Sequence, residues 1–146
     1  MKKIITLCAS ASHFKKVVEL EEELRKLGFI VKIPLTAAKM KKSNNYDVGF
    51  YKTWFKNNAD YKKKTLLIKD HFKKVIEADA VLVVNAEKNG IEGYIGGNTL
   101  MELTLAFHYK KPIFVLNNIS EDLTIKEEIF ALNAKFINGD LKKIKI

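Results

Sequence analysis

Short apolar runs alternate with longer amphipathic segments along this chain. The apolar runs cover Lys3–Ala9, Phe29–Ile33, Ala80–Asn85, Pro112–Leu116 and Lys135–Ile137. Strands that are buried on both faces of a parallel sheet have continuous apolar sequences of this kind. The segments between the runs carry apolar residues at helical spacing. The pattern therefore predicts strands that alternate with helices.

The four clearest helices are predicted after Ser10–His13, over about Asp60–Ala78, after Asn98, and over Leu123–Leu132. Crossovers between parallel strands are right-handed. The prediction is a three-layer open, mainly parallel five-stranded sheet of flavodoxin or Rossmann-like type, with strand order 2-1-3-4-5. In that order strands one and three are neighbours, so the loops after Ser10 and Asn85 should form the ligand crevice.

Residues 36–60 fit the alternation poorly and are interpreted as a lysine- and aromatic-rich insertion. Phe50, Tyr51 and Trp54 fall at spacings that favour a short amphipathic helix. Three roles stay open for these aromatic residues: a core or subunit interface, a base-stacking surface, or an active-site lid.

The length of 146 residues and the 47% apolar composition predict a single globular domain over residues 1–146. No apolar run approaches the roughly 18 residues of a membrane span. The apolar run that follows Met1 is too short for a signal peptide, so a cytoplasmic protein is expected. The one cysteine, Cys8, excludes an internal disulfide. Cys8 is interpreted as a small buried strand residue, with a catalytic thiol as the second choice.

Most of the net charge of +9 comes from residues 39–74, where 11 lysines stand against Asp47, Asp60 and Asp70, a net of +8. A basic region attracts nucleotides or nucleic acid. A solvated, lysine-rich surface is the favoured interpretation, and a nucleic-acid site is the alternative.

The segment Asn89–Glu102 holds four of the seven glycines and joins the apolar run at Ala80 to a helical pattern. Glycines let a ligand approach the main chain closely. A helix beginning near Asn98 or Thr99 offers free N–H groups to an anion, with Glu102 in its first turn. From the residues alone, Glu102 is best explained as a negative charge that favours the helix dipole.

The sequence Gly96–Leu103, followed by Ala106 and Lys111–Leu116, resembles the nucleoside 2-deoxyribosyltransferase superfamily, which includes 2′-deoxynucleoside 5′-phosphate N-hydrolases. The resemblance is closest over Ile4–Ser10 and Asp79–Leu116. It implies that Glu102 is a nucleophile that attacks the sugar C1′ carbon. It also implies a nucleoside or nucleotide as the partner molecule, and a dimer or larger homo-oligomer.

The chain departs from the family pattern at three positions. His71 stands where the transferases have a catalytic aspartate, Gly96 stands where many members have another acid, and Asn98 replaces a common glycine. Only Glu102 is clearly kept among the family's carboxylates. His71 is the candidate for proton exchange, because its ordinary pKa is near neutrality.

Further candidate binding residues surround the two loops. Ser10 and Ser12 are expected to cap the first helix, to contact a sugar or phosphate, or to do both. Amides of Gly96, Gly97 and Asn98 are expected to hold a 5′-phosphate or a sugar hydroxyl. Asn85 and Tyr94 are expected to line the sugar or base pocket.

No metal or other cofactor is expected, because His13, His71 and His108 have no ligand-like spacing in the sequence. His13 is interpreted as a solvated loop residue. Three functions stay open: N-glycosidic bond cleavage or deoxyribosyl transfer, nucleotide sensing without catalysis, and, less favoured, nucleic-acid binding. No membrane partner is expected.

Overall fold

A computed structural model describes all residues from Met1 to Ile146. Its centre is a sheet of five parallel strands in the order β2-β1-β3-β4-β5. The strands are β1 (Ile4–Cys8), β2 (Ile30–Lys32), β3 (Ala80–Val83), β4 (Ile113–Val115) and β5 (Lys135–Phe136). The predicted fold class and strand order are confirmed, and each strand is slightly shorter than its apolar run.

The register of the sheet brings two chain segments together at its carboxyl edge. Strand β1 pairs with β2 on one side, Ile4 opposite Ile30, and with β3 on the other, Cys8 opposite Val83. The chain direction therefore switches between β1 and β3. In open parallel sheets a crevice forms at this switch point.

Six α-helices connect and cover the strands. They are α1 (Phe14–Lys26), α2 (Leu35–Ser43), α3 (Val48–Tyr51), α4 (Tyr61–Glu77), α5 (Gly97–His108) and α6 (Lys126–Ala131). Helices α1 and α2 pack on one face of the sheet, where Leu7 and Leu82 belong to the same buried cluster. Helices α4, α5 and α6 contribute to a second cluster, on the face that carries Cys8 and Val83. None of the helices is long and apolar enough to cross a lipid bilayer.

The region 36–60 differs from its prediction. It contains α2 and α3, and the amphipathic helix expected around Phe50–Trp54 is interrupted at Lys52, whose ψ of 73° is not helical. Trp54 is buried in the 3₁₀ turn Thr53–Phe55. Phe50 and Phe55 are exposed at 64% and 73%, so their role in a subunit interface stays a prediction.

Helix α2 had no clear sequence signal. Its only buried residues are Ala37 and Met40, and most of its other positions are polar or lysine. Two buried residues on one face are too few to give a clear helical periodicity, so this helix depends on its packing against α1.

Candidate functional site

A cavity of roughly 190 Å³ opens where β1 and β3 end. The turn after β1, helices α2 to α5 and the glycine-rich loop all contribute to its wall. The cavity is lined by polar side chains from Ser10, Thr36, Tyr51, Lys52, Lys64, His71, Lys88, Tyr94, Asn98 and Glu102. Ala9, Phe14, Met40 and Trp54 are among its apolar residues. Such a mixture suits a small organic molecule that has both polar and aromatic parts.

The turn after β1 does not cap α1 as expected. Ser10 precedes a 3₁₀ turn, Ala11–His13, and its side chain makes no capping hydrogen bond. Helix α1 begins only at Phe14. Ser10 lines the cavity, whereas Ser12 is exposed and lies outside the lining. The structure therefore brings one of the two predicted serines to the site.

His13 is buried, which corrects the expectation of a solvated histidine. Its Nε2 lies 3.3 Å from the carbonyl oxygen of Glu87. Burial is the main cause that lowers the pKa of His13. His13 therefore joins the turn after β1 to the loop after β3 rather than lining the cavity.

Asn85 holds the loops that follow β3 and β4 together. Its Nδ2 donates to the carbonyl oxygens of Gly93 (3.0 Å) and Asn117 (2.8 Å), and its Oδ1 accepts from the Asn117 N–H (2.9 Å). All hydrogen-bonding groups of this fully buried side chain are thus used within the protein. Asn85 was predicted to line the cavity, but it does not. Its side chain instead bonds to the main chain of the glycine-rich loop at Gly93.

Two glycines allow this loop to pack closely. Gly93 has a φ of +62°, and a Cβ there would lie 2.0 Å from the Asn118 carbonyl oxygen. A Cβ at Gly96 would lie 3.2 Å from the Ser10 hydroxyl and 3.4 Å from the Tyr94 ring. Gly96 therefore permits close contact between the two loops that meet at the switch point.

Helix α5 begins at Gly97, one or two residues before the predicted start. Glu102 consequently lies in the second turn instead of the first. The influence of the helix dipole falls off within the first turn, so a favourable helix charge explains Glu102 poorly. The side chain is also buried, with 3% exposure, and faces the cavity.

The Glu102 carboxyl group is only partly hydrogen-bonded. Its Oε2 accepts from Asn98 Nδ2 at 3.2 Å, while its Oε1 has no partner. Burial raises the pKa of Glu102 to about 8, although contacts with Cys8, Lys64 and Asn98 act in the opposite direction. This carboxyl group therefore holds its proton at neutral pH.

His71 lies beside Glu102 on α4. Its Nε2 is 3.9 Å from Glu102 Oε1 and 3.7 Å from Cys8 Sγ. Burial, with a further effect from the charge on Lys74, lowers the pKa of His71 to about 4. Burial and the neighbouring Glu102 raise the pKa of the Cys8 thiol. The three groups therefore form a neutral cluster at pH 7.

Three lysines add positive charge to the cavity wall, and sequence reasoning did not single them out. Lys52, Lys64 and Lys88 form no ion pair with an acid, and the last two lie over the rings of Trp54 (5.5 Å) and Tyr94 (5.0 Å). Burial lowers the pKa of Lys52 and of Lys64, and the other two lysines lower that of Lys52 further. For Lys52 and Lys64 the sequence offered one signal, the mixing of lysine with aromatic residues after position 50, whereas Lys88 lies outside that segment and had none.

Comparison with known proteins gives a structural likeness. No protein-family model matches the chain, and no curated protein matches it. A solved structure described as the 2-deoxyribosyltransferase from the psychrotolerant bacterium Bacillus psychrosaccharolyticus is similar, with a TM-score of 0.55 and 19% sequence identity. The match covers 84% of this chain and 77% of that chain. At this level of identity the likeness establishes a shared fold, and function has to be argued from the site.

Proposed function

We propose that this protein cleaves the N-glycosidic bond of a deoxynucleoside or its 5′-monophosphate, or transfers the deoxyribosyl group, with Glu102 as the nucleophile. The observation that carries the proposal is a buried carboxyl group in the cavity wall with one oxygen free of hydrogen bonds. The shared fold with a 2-deoxyribosyltransferase is consistent with it. Catalytic carboxyl groups with strongly raised pKa values are typical of such clefts.

The reaction would proceed in two displacements. The Glu102 carboxylate attacks C1′, the bond from C1′ to the base nitrogen breaks, and the base leaves with a proton. Water then attacks C1′ and regenerates the carboxylate, or a second base does so and gives a new nucleoside. Positive charge that develops on the sugar ring stabilises the ionised form of Glu102 during the first step.

Glu102 has to lose its proton before it attacks. His71 Nε2 is the nearest basic nitrogen, 3.9 Å from Glu102 Oε1. With pKa values of about 4 for His71 and about 8 for Glu102, this transfer is unfavourable in the unliganded site. It becomes accessible as the positive charge that develops on the sugar lowers the pKa of Glu102, and His71, in the tautomer that leaves Nε2 unprotonated, can then accept the proton and return it towards the leaving base. His71 would thereby take the part of the aspartate that the related transferases have at this position.

The cavity wall favours an anionic substrate over a neutral nucleoside. Lys52, Lys64 and Lys88 bring three unpaired positive charges, and the Ser10 side chain and the start of α5 at Gly97 lie on the same wall. Main-chain N–H groups at a helix start and lysine ammonium groups both bind phosphate. Tyr94 and Trp54 offer ring surfaces to the base. A deoxynucleoside 5′-monophosphate is therefore the favoured substrate.

Release of free base from a panel of deoxynucleosides and their 5′-monophosphates, followed by chromatography, tests the proposal. We expect Glu102→Gln and Glu102→Ala to remove the activity, because neither side chain can form the glycosyl ester. Glu92→Gln is the matched control, since Glu92 is exposed and lies outside the cavity lining. No base release by the unchanged protein with any member of the panel would refute the proposal.

A nucleotide-binding protein without catalysis is the second candidate. Glu102 is the only acid in the cavity wall, whereas glycosidases usually use a pair of carboxyl groups. This candidate predicts that a nucleotide raises the melting temperature while no base is released. The same protein samples can be used for both measurements.

A further inference from the structure

Cys8, His71 and Glu102 come from three separate elements and meet at one point. Cys8 ends β1, His71 lies on α4 and Glu102 lies on α5. One potential ligand atom from each of the three lies within 4.8 Å of the other two. The side chains of all three residues are buried. This juxtaposition has no signal in the sequence, because Cys8 and His71 are 63 residues apart.

The spacing of these atoms approaches that of a metal site. A tetrahedral Zn²⁺, with bonds of about 2.0–2.3 Å, keeps its ligand atoms roughly 3.3–3.7 Å apart. Cys8 Sγ and His71 Nε2 are 3.7 Å apart, and His71 Nε2 and Glu102 Oε1 are 3.9 Å apart. These two distances therefore need little or no change to fit a tetrahedral ion, and the third, between Cys8 Sγ and the Glu102 carboxyl group, is at most 4.8 Å.

The hydrogen bonding of the cluster leaves one of the three ligand atoms without a partner, since Cys8 Sγ and His71 Nε2 lie within hydrogen-bond distance of each other. Glu102 Oε1 is buried and has no hydrogen-bond partner. A buried polar atom without a partner in a folded protein is explained by a catalytic role or by a bound ion. Because Oε1 lies 3.9 Å from His71 Nε2 and pairs with no lysine, and the carboxyl group lies within 4.8 Å of the thiol, a cation between the three groups would satisfy it.

We propose that Cys8, His71 and Glu102 bind one Zn²⁺ ion, and that this ion switches the site off by occupying the Glu102 carboxylate. Thiolate, imidazole and carboxylate are the ligand types that zinc prefers. His71 and Glu102 line the cavity, which gives the ion a route in and leaves its fourth position to water. On binding, the thiol proton and the carboxyl proton pass to solvent, and no electron transfer occurs. Metal binding stands independently of the catalytic proposal, and only the inhibition rests on it.

Metal titration of the purified, chelator-treated chain tests the binding directly. We expect one Zn²⁺ per chain by calorimetry, and one Co²⁺ with the near-ultraviolet absorption band of a cobalt–thiolate bond. Cys8→Ser should abolish that band and weaken Zn²⁺ binding by more than about 100-fold, a larger effect than loss of a group beyond the ligands. His108→Ala is the matched control, because His108 is exposed, lies outside the cavity lining and is not one of the three proposed ligands.

Several results would overturn the proposal. These are no stoichiometric Zn²⁺ binding, a Co²⁺ spectrum without the thiolate band, or Zn²⁺ binding that Cys8→Ser leaves unchanged. If Cys8→Ser fails to fold, His71→Ala replaces it, and Zn²⁺ binding that His71→Ala leaves unchanged refutes the site.

Base release with and without added Zn²⁺ separates the two proposals. Loss of base release with Zn²⁺, reversed by a chelator and absent in Cys8→Ser, supports the switch. A positive Co²⁺ spectrum in a protein that never releases base would leave the metal site standing and refute the catalytic proposal. An unchanged rate of base release when the site is saturated with Zn²⁺ would refute the proposed inhibition.

Discussion

Replacing Glu102 by glutamine should make the protein more stable at alkaline pH. Burial raises the pKa of Glu102 from 4.5 to about 8, so the folded state holds this proton more tightly than the unfolded state does. The free energy of unfolding therefore falls as the pH rises between these two values. Glutamine keeps the size of the side chain and its hydrogen-bond acceptor for Asn98, and it does not ionise.

The magnitude follows from the size of the shift. One pKa unit corresponds to about 1.4 kcal/mol, so the rise from 4.5 to about 8 costs the folded protein about 5 kcal/mol once Glu102 is ionised. Relaxation of the site and entry of water would reduce this cost, so a few kcal/mol is the expected observation. A loss of that size is a large part of the stability of an ordinary domain.

Urea unfolding of both proteins at pH 5 and pH 9, in the presence of a chelator, measures the effect. Titrating groups away from Glu102 contribute equally to both proteins and cancel in the difference between them. Cys8 is the exception, because Glu102 raises its pKa, and loss of that effect in Glu102→Gln moves the difference in the same direction. We expect that difference to move in favour of Glu102→Gln by a few kcal/mol between the two pH values. Glu92→Gln, at an exposed position, should show no such movement.

A stability difference between Glu102→Gln and the unchanged protein that is the same at pH 5 and pH 9 would refute the reasoning. It would mean that the Glu102 carboxyl group is well solvated in the folded protein. If Glu102→Gln gains stability relative to the unchanged protein between pH 5 and pH 9 and also loses base release, Glu102 is a residue kept for function at the expense of stability.

Two other predictions concern the cavity wall and the loop beneath it. Lys64→Gln should weaken binding of a nucleoside 5′-monophosphate by about tenfold or more, because the change removes a charged contact. Binding of the free nucleoside should change little. Equal weakening of both ligands in calorimetry would contradict a phosphate-binding role for Lys64. Gly93→Ala should lower the free energy of unfolding by about 3 kcal/mol or more, because its Cβ would lie 2.0 Å from a main-chain oxygen at positive φ. Gly97→Ala, where a Cβ meets nothing within 4 Å, should change stability by about 1 kcal/mol or less. Similar losses in the two variants would show that the Gly93 turn is not tightly packed.

The sequence by itself determined the architecture. Strands buried on both faces need continuous apolar residues, and Ala80–Val83 and Ile113–Val115 have them. Right-handed crossovers then restrict the strand order, and the order 2-1-3-4-5 is the one observed. The glycine-rich loop and Glu102 could also be predicted from the sequence, because they lie together in one short segment of the chain.

Tertiary structure alone decided which polar groups meet. Local patterns report which apolar residues are buried, but contacts between distant segments depend on register and packing, as does the burial of a loop residue such as His13. For this reason Asn85 was assigned to the pocket although it binds Asn117 and Gly93. The sequence spacing of the histidines likewise gave no sign of the buried contact between Cys8, His71 and Glu102. Those three side chains meet because β1, α4 and α5 pack at one edge of the sheet, and no short stretch of the chain encodes that packing.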